Sequence, residues 1–278
     1  MSVRGARATA RQPAVFLIGS LGLAGILVAF LGLPILVLIG RSLADGALGA
    51  VLARPAVFDA LALSLRTTAA SVAIAVILGL PLAFILARRR FRGSALLETA
   101  IDLPIVLPPS VAGLGLLLVF GRRGLLGESL DAAGLAIPFT TVAVVLAQAF
   151  VAIPLFVRSA RAGIAAVDRD LEDAARVDGA GESAVARWIT IPLALPAIGA
   201  GLVMAWARAL GEFGATIMFA GNLTGRTQTL PLVVYSEFQG GDLDASIAAA
   251  AVLVIAAFAV LVAVRTLRWG RVLDTRGA

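Results

Sequence analysis

The 278-residue chain contains no cysteine and no histidine, and all 23 of its basic residues are arginine, so lysine is missing too. The first two absences remove the usual ligands of zinc, haem and iron–sulfur sites, together with Ser-His and Cys-His nucleophilic machinery. Without lysine there is no Walker A loop, whose Lys reaches the β- and γ-phosphates. Any ATP used must therefore be hydrolysed by another polypeptide, and no cofactor is expected on this chain. Charge of either sign is scarce, at 14% of residues. The missing cysteines say little about redox compartment, because the rest of the composition points to a membrane.

Hydrophobic residues make up 60% of the chain and the mean hydropathy is +1.00. A soluble domain of this length needs far more polar surface, so the solvent for most of the chain is lipid. About 20 apolar residues are needed to cross the hydrocarbon, and six stretches qualify: Ala14–Gly40, Thr67–Ala87, the proline-rich Leu103–Phe120, Ile137–Val157, Trp188–Ala207 and Ala245–Val264. The first follows Arg4, Arg7 and Arg11 as a signal peptide would. Its apolar run is much longer than a signal h-region and no small-residue cleavage site stands out, so it reads as a retained helix. The expectation is an all-α, polytopic protein with six transmembrane helices, forming one membrane domain over residues 1–278.

Arginine bias sets the orientation. With the N-terminus inside, the cytoplasm receives Arg4, Arg7 and Arg11, then Arg88, Arg89, Arg90 and Arg92, then Arg158, Arg161, Arg169, Arg176 and Arg187, and finally Arg265, Arg268, Arg271 and Arg276. Arg41, Arg54, Arg122, Arg123 and Arg226 fall opposite. Both termini are thus expected in the cytoplasm. The high pI of about 11.3 is explained by this topology, without nucleic acid as a partner.

The longest cytoplasmic loop, within residues 158–190, mixes five arginines with Asp168, Asp170, Glu172, Asp173, Asp178 and Glu182. Asp168-Arg-Asp reads as a helix start, with acids at the positive end of the dipole. Ala174 and Ala175 are small enough to let another surface approach. Gly179 and Gly181 can take positive φ, ending one short helix and turning into the next. Pro192 and Pro196 open or kink the membrane helix that follows. A solvated amphipathic loop would show the same alternation of charge, but not the spacing from Gly179 to Ile189-Thr-Ile-Pro192.

That spacing, with Asp173-Ala-Ala-Arg-Val-Asp-Gly179 before it, resembles the EAA loop of ABC transporter permeases. Asp173 stands where the family usually has Glu, and Ile191 where it usually has Leu; charge and apolarity are kept. The resemblance implies a type I ABC importer permease fold. It also implies that Asp173, Ala174, Ala175, Gly179, Gly181, Ile189 and Pro192 couple the chain to an ATPase. Further stretches look like the molybdate branch: Gly79-Leu-Pro-Leu-Ala83, Leu103-Pro-Ile-Val-Leu-Pro-Pro-Ser110, Gly121-Arg-Arg-Gly124, Ala207-Arg-Ala-Leu-Gly-Glu-Phe-Gly-Ala-Thr216, Phe219-Ala-Gly-Asn222 and Gly225-Arg-Thr-Gln-Thr-Leu-Pro231. They imply an oxyanion importer in a prokaryotic inner membrane, for molybdate or tungstate before sulfate or thiosulfate. The implied assembly is a homodimer of permeases in membrane lipid, two ABC ATPases holding ATP and Mg, and an extracytoplasmic binding protein. The polar segment Asn222–Asp244, with Gly240-Gly241, is either a plain connecting loop or the surface that meets the binding protein.

Two groups are pore candidates. Arg208 and Glu212, four apart around the fifth helix, share a face and can pair. They form either an ion pair that fixes packing or, with Arg208 free, an anion contact. Pro104, Pro108 and Pro109, followed by Ser110, interrupt backbone hydrogen bonding in the third span, whose freed carbonyls either line a cavity or merely mark a kink. Gly113 and Gly115 permit close helix approach. An ion-coupled secondary transporter is the competing class. It would carry acids deep in several spans or repeated halves, whereas Arg66, at the end of the second, is the main charge outside the fifth. A membrane enzyme would need the His, Cys or clustered acids that are missing.

Overall fold

A computed structural model describes the backbone of residues 14–274 and the side chains of residues 19–263 and Thr266. Arg4, Arg7, Arg11 and Arg276 lie outside the described residues, as do the side chains of Arg265, Arg268 and Arg271.

Among the described residues all regular secondary structure is helical, with no strand. Five helices are long and apolar enough to cross a membrane: α1 (Ala14–Ala44), α3 (Pro55–Arg88), α7 (Thr141–Ala165), α10 (Ile191–Leu210) with the short turns that precede it, and α13 (Leu243–Asp274). The third expected span is not continuous. It divides into α4 (Ser94–Val106) and α5 (Pro109–Phe120), which meet at 115°. Pro108 and Pro109 offer no N–H to a continuing helix. Leu107, placed before a proline, is driven out of the helical region to φ −67°, ψ 136°. Pro81, Pro104, Pro154 and Pro196, by contrast, lie inside helices.

Several helices outrun the expected spans. The second begins at Pro55, so Arg66 lies within it, exposed, and not at its end. The fourth reaches Ala165, putting Arg158 and Arg161 on a helix and not in the loop assigned to them. An apolar count marks only the part that needs lipid; a helix continues beyond it wherever its polar residues stay exposed.

The bundle centres on α3, α7 and α10, which bury Ala75, Ala83, Ala152, Phe156, Ala160, Ala205 and Ala209 against one another. Alanine and glycine dominate this seam because helix association in lipid rests on close backbone approach and not on expelling water. Hydroxyls add cross-helix links: Ser71 Oγ is 2.9 Å from the Val145 carbonyl, and Ser159 Oγ donates to the Ala197 carbonyl at 2.7 Å.

A second cluster joins α2 (Ala47–Leu52), the start of α3, α12 (Leu230–Gln239) and α13. The segment expected as a polar loop over 222–244 therefore contains a packed helix. Thr229 stands at its N-cap, Pro231 occupies a first-turn position where no N–H is needed, and Leu230, Leu232 and Val233 are buried. Its first amide donates to Ser64 Oγ at 2.8 Å. Arg54 pairs with Glu237 and Asp242 at its far end, and Arg41 with Asp244 at the start of α13. After α6 (Gly127–Ala132) and α7, a third cluster packs α5 and α7 with α11 (Gly214–Phe219).

Candidate functional site

Between α7 and α10 the chain forms α8 (Arg169–Val177), α9 (Glu182–Val185) and a π-turn at Ala186–Thr190. Asp168 caps α8, its Oδ1 accepting from the Asp170 amide at 3.0 Å, and Asp170 and Glu172 occupy the first turn. Both features favour a helix start here.

The helix ends in a Schellman arrangement. The Ala180 amide donates to the Ala175 carbonyl at 2.9 Å and the Gly179 amide to the Arg176 carbonyl at 3.0 Å, with Gly179 at φ +90°. Gly181 does not share that conformation. At φ −72°, ψ 160° it is the extended N-cap of α9, a geometry open to any residue. Only the first glycine is conformationally required, because a single left-handed residue completes the turn.

The expected coupling residues form one exposed protrusion. Asp173 and Ala174 are exposed and Ala175 half-buried, flanked by Leu171 and Val177 at 50% and 87% exposure. Arg176 bonds Asp173 at 2.6 Å and Glu182 at 2.7 Å, bracing α8 against the start of α9. These carboxylates, Glu182 first, hold the Arg176 guanidinium above its ordinary range, so it stays charged. Ile189 lies in the π-turn and Pro192 in the first turn of α10.

The residue that anchors this protrusion is one the sequence reading left out of its site. Glu172 is 3% exposed. Its Oε1 accepts from Arg88 Nη2 at 2.6 Å and from Thr190 Oγ1 at 2.6 Å, while Arg88 also reaches the Val167 carbonyl at 3.3 Å. Arg88 is the last residue of α3 and Thr190 the last of the π-turn, so one carboxylate joins α3, α8 and the base of α10. The available signal was an arginine ending a span, which needs a partner wherever its end is covered.

The two groups of pore candidates, about 100 residues apart in sequence, come together. A Cβ placed on Gly214 would lie 2.8 Å from the Pro109 Cβ and 3.2 Å from the Ser110 amide. The break after α4 therefore packs against the corner between α10 and α11. At that corner Arg208 Nη1 lies 2.6 Å from Glu212 Oε2, and Glu212 Oε1 accepts from the Ala215 amide at 2.7 Å. Glu212 is 1% exposed, so its carboxylate is neutralised by arginine and serves the first turn of α11. Gly113 is tight here, 2.6 Å from the Ala215 carbonyl to a Cβ placed on it; Gly115 faces open space and has no such role.

Beside the Arg88 end of the bundle, a cleft of about 500 Å³ opens between α4 and α7. Arg161 crosses it to Glu98 at 2.8 Å, and Arg158 approaches Asp102 at 3.8 Å. These acids sit on α4 ahead of Leu103, where the third expected span begins.

These features define a multi-pass α-helical membrane protein with a helical protrusion braced against the end of α3 and the base of α10. Comparison with known proteins identifies the class further. Residues 79–276 match the family described as binding-protein-dependent transport system inner membrane component, and the chain belongs to that family. A molybdenum transport system permease protein of Mycobacterium tuberculosis is 46% identical over 215 residues, 77% of this chain and 81% of that one. Its counterpart in Escherichia coli K12 is 44% identical over 192 residues, 68% and 84%. A molybdate/tungstate transport system permease protein of Pyrococcus abyssi is 36% identical over 211 residues, 76% and 79%. Among solved structures, a bacterial ABC transporter involved in the import of the acidic polysaccharide alginate superposes with a TM-score of 0.72, covering 91% of this chain and 94% of that one. At 16% identity this likeness is one of fold, that of type I ABC importer permeases.

Proposed function

We propose that this chain is the translocation subunit of an ATP-driven importer whose cargo is molybdate or tungstate. The observation that carries the cargo assignment is the set of relatives named for molybdenum, molybdate or tungstate transport, 36% to 46% identical over most of their length. The same names favour these anions over sulfate. The subunit performs no chemistry itself. It works as a homodimer with two cytoplasmic ATPases, which hold ATP and Mg, and receives cargo from an extracytoplasmic binding protein. Support for the last partner comes from the family description and from a neighbour of the same fold solved with a periplasmic protein bound to an alginate pentasaccharide (TM-score 0.71).

Arginine bias places both termini, and with them the α8 protrusion, in the cytoplasm. There Asp173, Ala174, Ala175 and Gly179 meet the ATPase, while Gly181, Ile189 and Pro192 shape the return into α10. ATP binding draws the two ATPases and their docked protrusions together and opens the pore outward, cargo enters, and hydrolysis resets it inward. The break at Pro108, Pro109 and Ser110, packed on the Arg208–Glu212 corner, belongs to the wall of that pathway. Weak contacts there suit a channel whose cargo must leave again.

The test is ATPase activity and uptake in proteoliposomes containing this chain, its ATPase and its binding protein, with molybdate, tungstate and sulfate compared in parallel. Loaded binding protein stimulates both, with molybdate or tungstate ahead of sulfate. No stimulation by any of the three in an assembled complex would discard the cargo assignment. Failure of any ATPase to associate would discard the coupling assignment.

A further inference from the structure

We infer that the buried Glu172 carboxylate, with Arg88 and Thr190, is the link through which movement of the α8 protrusion reaches the membrane helices; this rests on the proposed docking of that protrusion on an ATPase. The exposed face of α8 offers Leu171, Ala174 and Val177 to a partner. Its hidden face presents a single carboxylate, 3% exposed, to two donors on two other elements. Thr190 is fully buried and the Arg88 side chain is 10% exposed.

Burial makes the link stiff. Water cannot readily replace either donor, and separating a buried ion pair leaves an unpaired charge that costs far more than an exposed pair returns. A displacement of α8 therefore carries the end of α3 and the base of α10 with it. Arg176 approaches the second carboxylate oxygen only to 3.9 Å and is 36% exposed, so it adds little to this hold.

The local backbone at Thr190 fits that role. The amide of Ile191 reaches back five residues to the Ala186 carbonyl, the signature of a π-turn, and places the Thr190 side chain toward α8. The hydroxyl has one proton to give. Its separation of 2.6 Å from Glu172, against 3.5 Å from the Val185 carbonyl, assigns that proton to the carboxylate. An extra residue in one turn is a site where helix phase can change locally, so a pull at Thr190 acts where α10 yields most easily. Glu172, Arg88 and Thr190 are positioning residues: they touch neither ATP nor cargo.

The experiment uses the reconstituted complex of permease, ATPase and binding protein, with molybdate as cargo, and measures uptake and ATP hydrolysis together. Thr190→Val removes the hydroxyl at constant shape and leaves the Arg88–Glu172 pair intact. Thr190→Ser keeps the hydroxyl. The expected result is that Thr190→Val assembles and binds the ATPase as the parent does, yet its uptake per ATP hydrolysed falls roughly ten-fold, the scale set by one charge-assisted hydrogen bond. Thr190→Ser retains the parent ratio. A packing role alone would lower assembly or melting temperature without moving that ratio.

An unchanged ratio in Thr190→Val overturns the inference, as does equal loss in Thr190→Val and Thr190→Ser. If Thr190→Val fails to assemble, Arg88→Gln combined with Glu172→Gln decides; it keeps an acceptor for Thr190 and leaves no unpaired buried charge. An assembled but uncoupled double variant supports the link, and any other outcome for it overturns the link. Failure of the parent chain to bind the ATPase would instead reject the docking proposal, and is read in the same assay.

Discussion

Arg88 Nη2 lies 2.6 Å from Glu172 Oε1, joining the last residue of α3 to the first turn of α8 across 84 positions of sequence. Both side chains are nearly buried, and their energetics follow from that burial. Removing one partner by Arg88→Ala or Glu172→Ala leaves the other charge unpaired, at about 3–5 kcal/mol. Removing both costs much less. Thermal unfolding of the detergent-purified protein should show a large fall in melting temperature for each single variant and a smaller one for the pair.

Gly179 and Gly181 make a paired test of backbone conformation. A Cβ at either position meets nothing within 4 Å, so crowding cannot distinguish them. Only Gly179 has positive φ, at +90°, where a β-branched residue is strained by about 1–3 kcal/mol. Gly179→Val should disrupt the Schellman turn and put a bulky side chain on the docking face. Uptake should be abolished while the protein remains in the membrane fraction. Gly181→Ala, at φ −72°, should transport normally. Normal uptake by Gly179→Val would remove the turn from the coupling element.

How much of this was legible beforehand depends on the range of the interaction. The spans declare themselves as uninterrupted apolar runs, and the α8 turn as a local glycine pattern. The break at Leu107–Pro109 was marked by its prolines, but composition cannot say whether adjacent prolines kink a span or turn it through 115°. Glu172 and Asp173 are neighbours with the same charge, and nothing local tells which one is buried. That is decided by Arg88 and Thr190, 84 and 18 residues away, once α3 and α10 have packed on α7. Likewise α12 looked like a loop because its short apolar run is set among polar residues and Gly240-Gly241, and nothing local shows that Leu230, Leu232 and Val233 are buried.

Gly113 and Gly115 separate in the same way by packing. A methyl group on Gly113 would press on the Ala215 carbonyl at 2.6 Å and on Met218 Cβ at 2.8 Å. Backbone cannot yield as a flexible side chain does, so Gly113→Ala should destabilise the α5–α11 contact by about 1–3 kcal/mol. Gly115→Ala meets nothing and should be neutral or slightly stabilising through its better helix propensity. Melting temperatures of the two variants in one detergent check the contrast.

The Arg208–Glu212 pair allows the pore to be questioned directly. Glu212 is buried, and its two oxygens serve different partners: Oε2 faces Arg208 at 2.6 Å and Oε1 accepts from the Ala215 amide at 2.7 Å. Arg208→Gln alone leaves a buried carboxylate without its counter-charge, and should lower both assembly and uptake. In Arg208→Gln with Glu212→Gln, the new amide oxygen can still accept from Ala215 and no buried charge is left. If the arginine serves only to neutralise the acid, the double variant recovers assembly and uptake together. If Arg208 also contacts the passing anion, the double variant assembles but does not transport. The side chain of Arg208 is 33% exposed but its charge is already committed to Glu212, and we expect recovery, measured as molybdate uptake normalised to assembled complex.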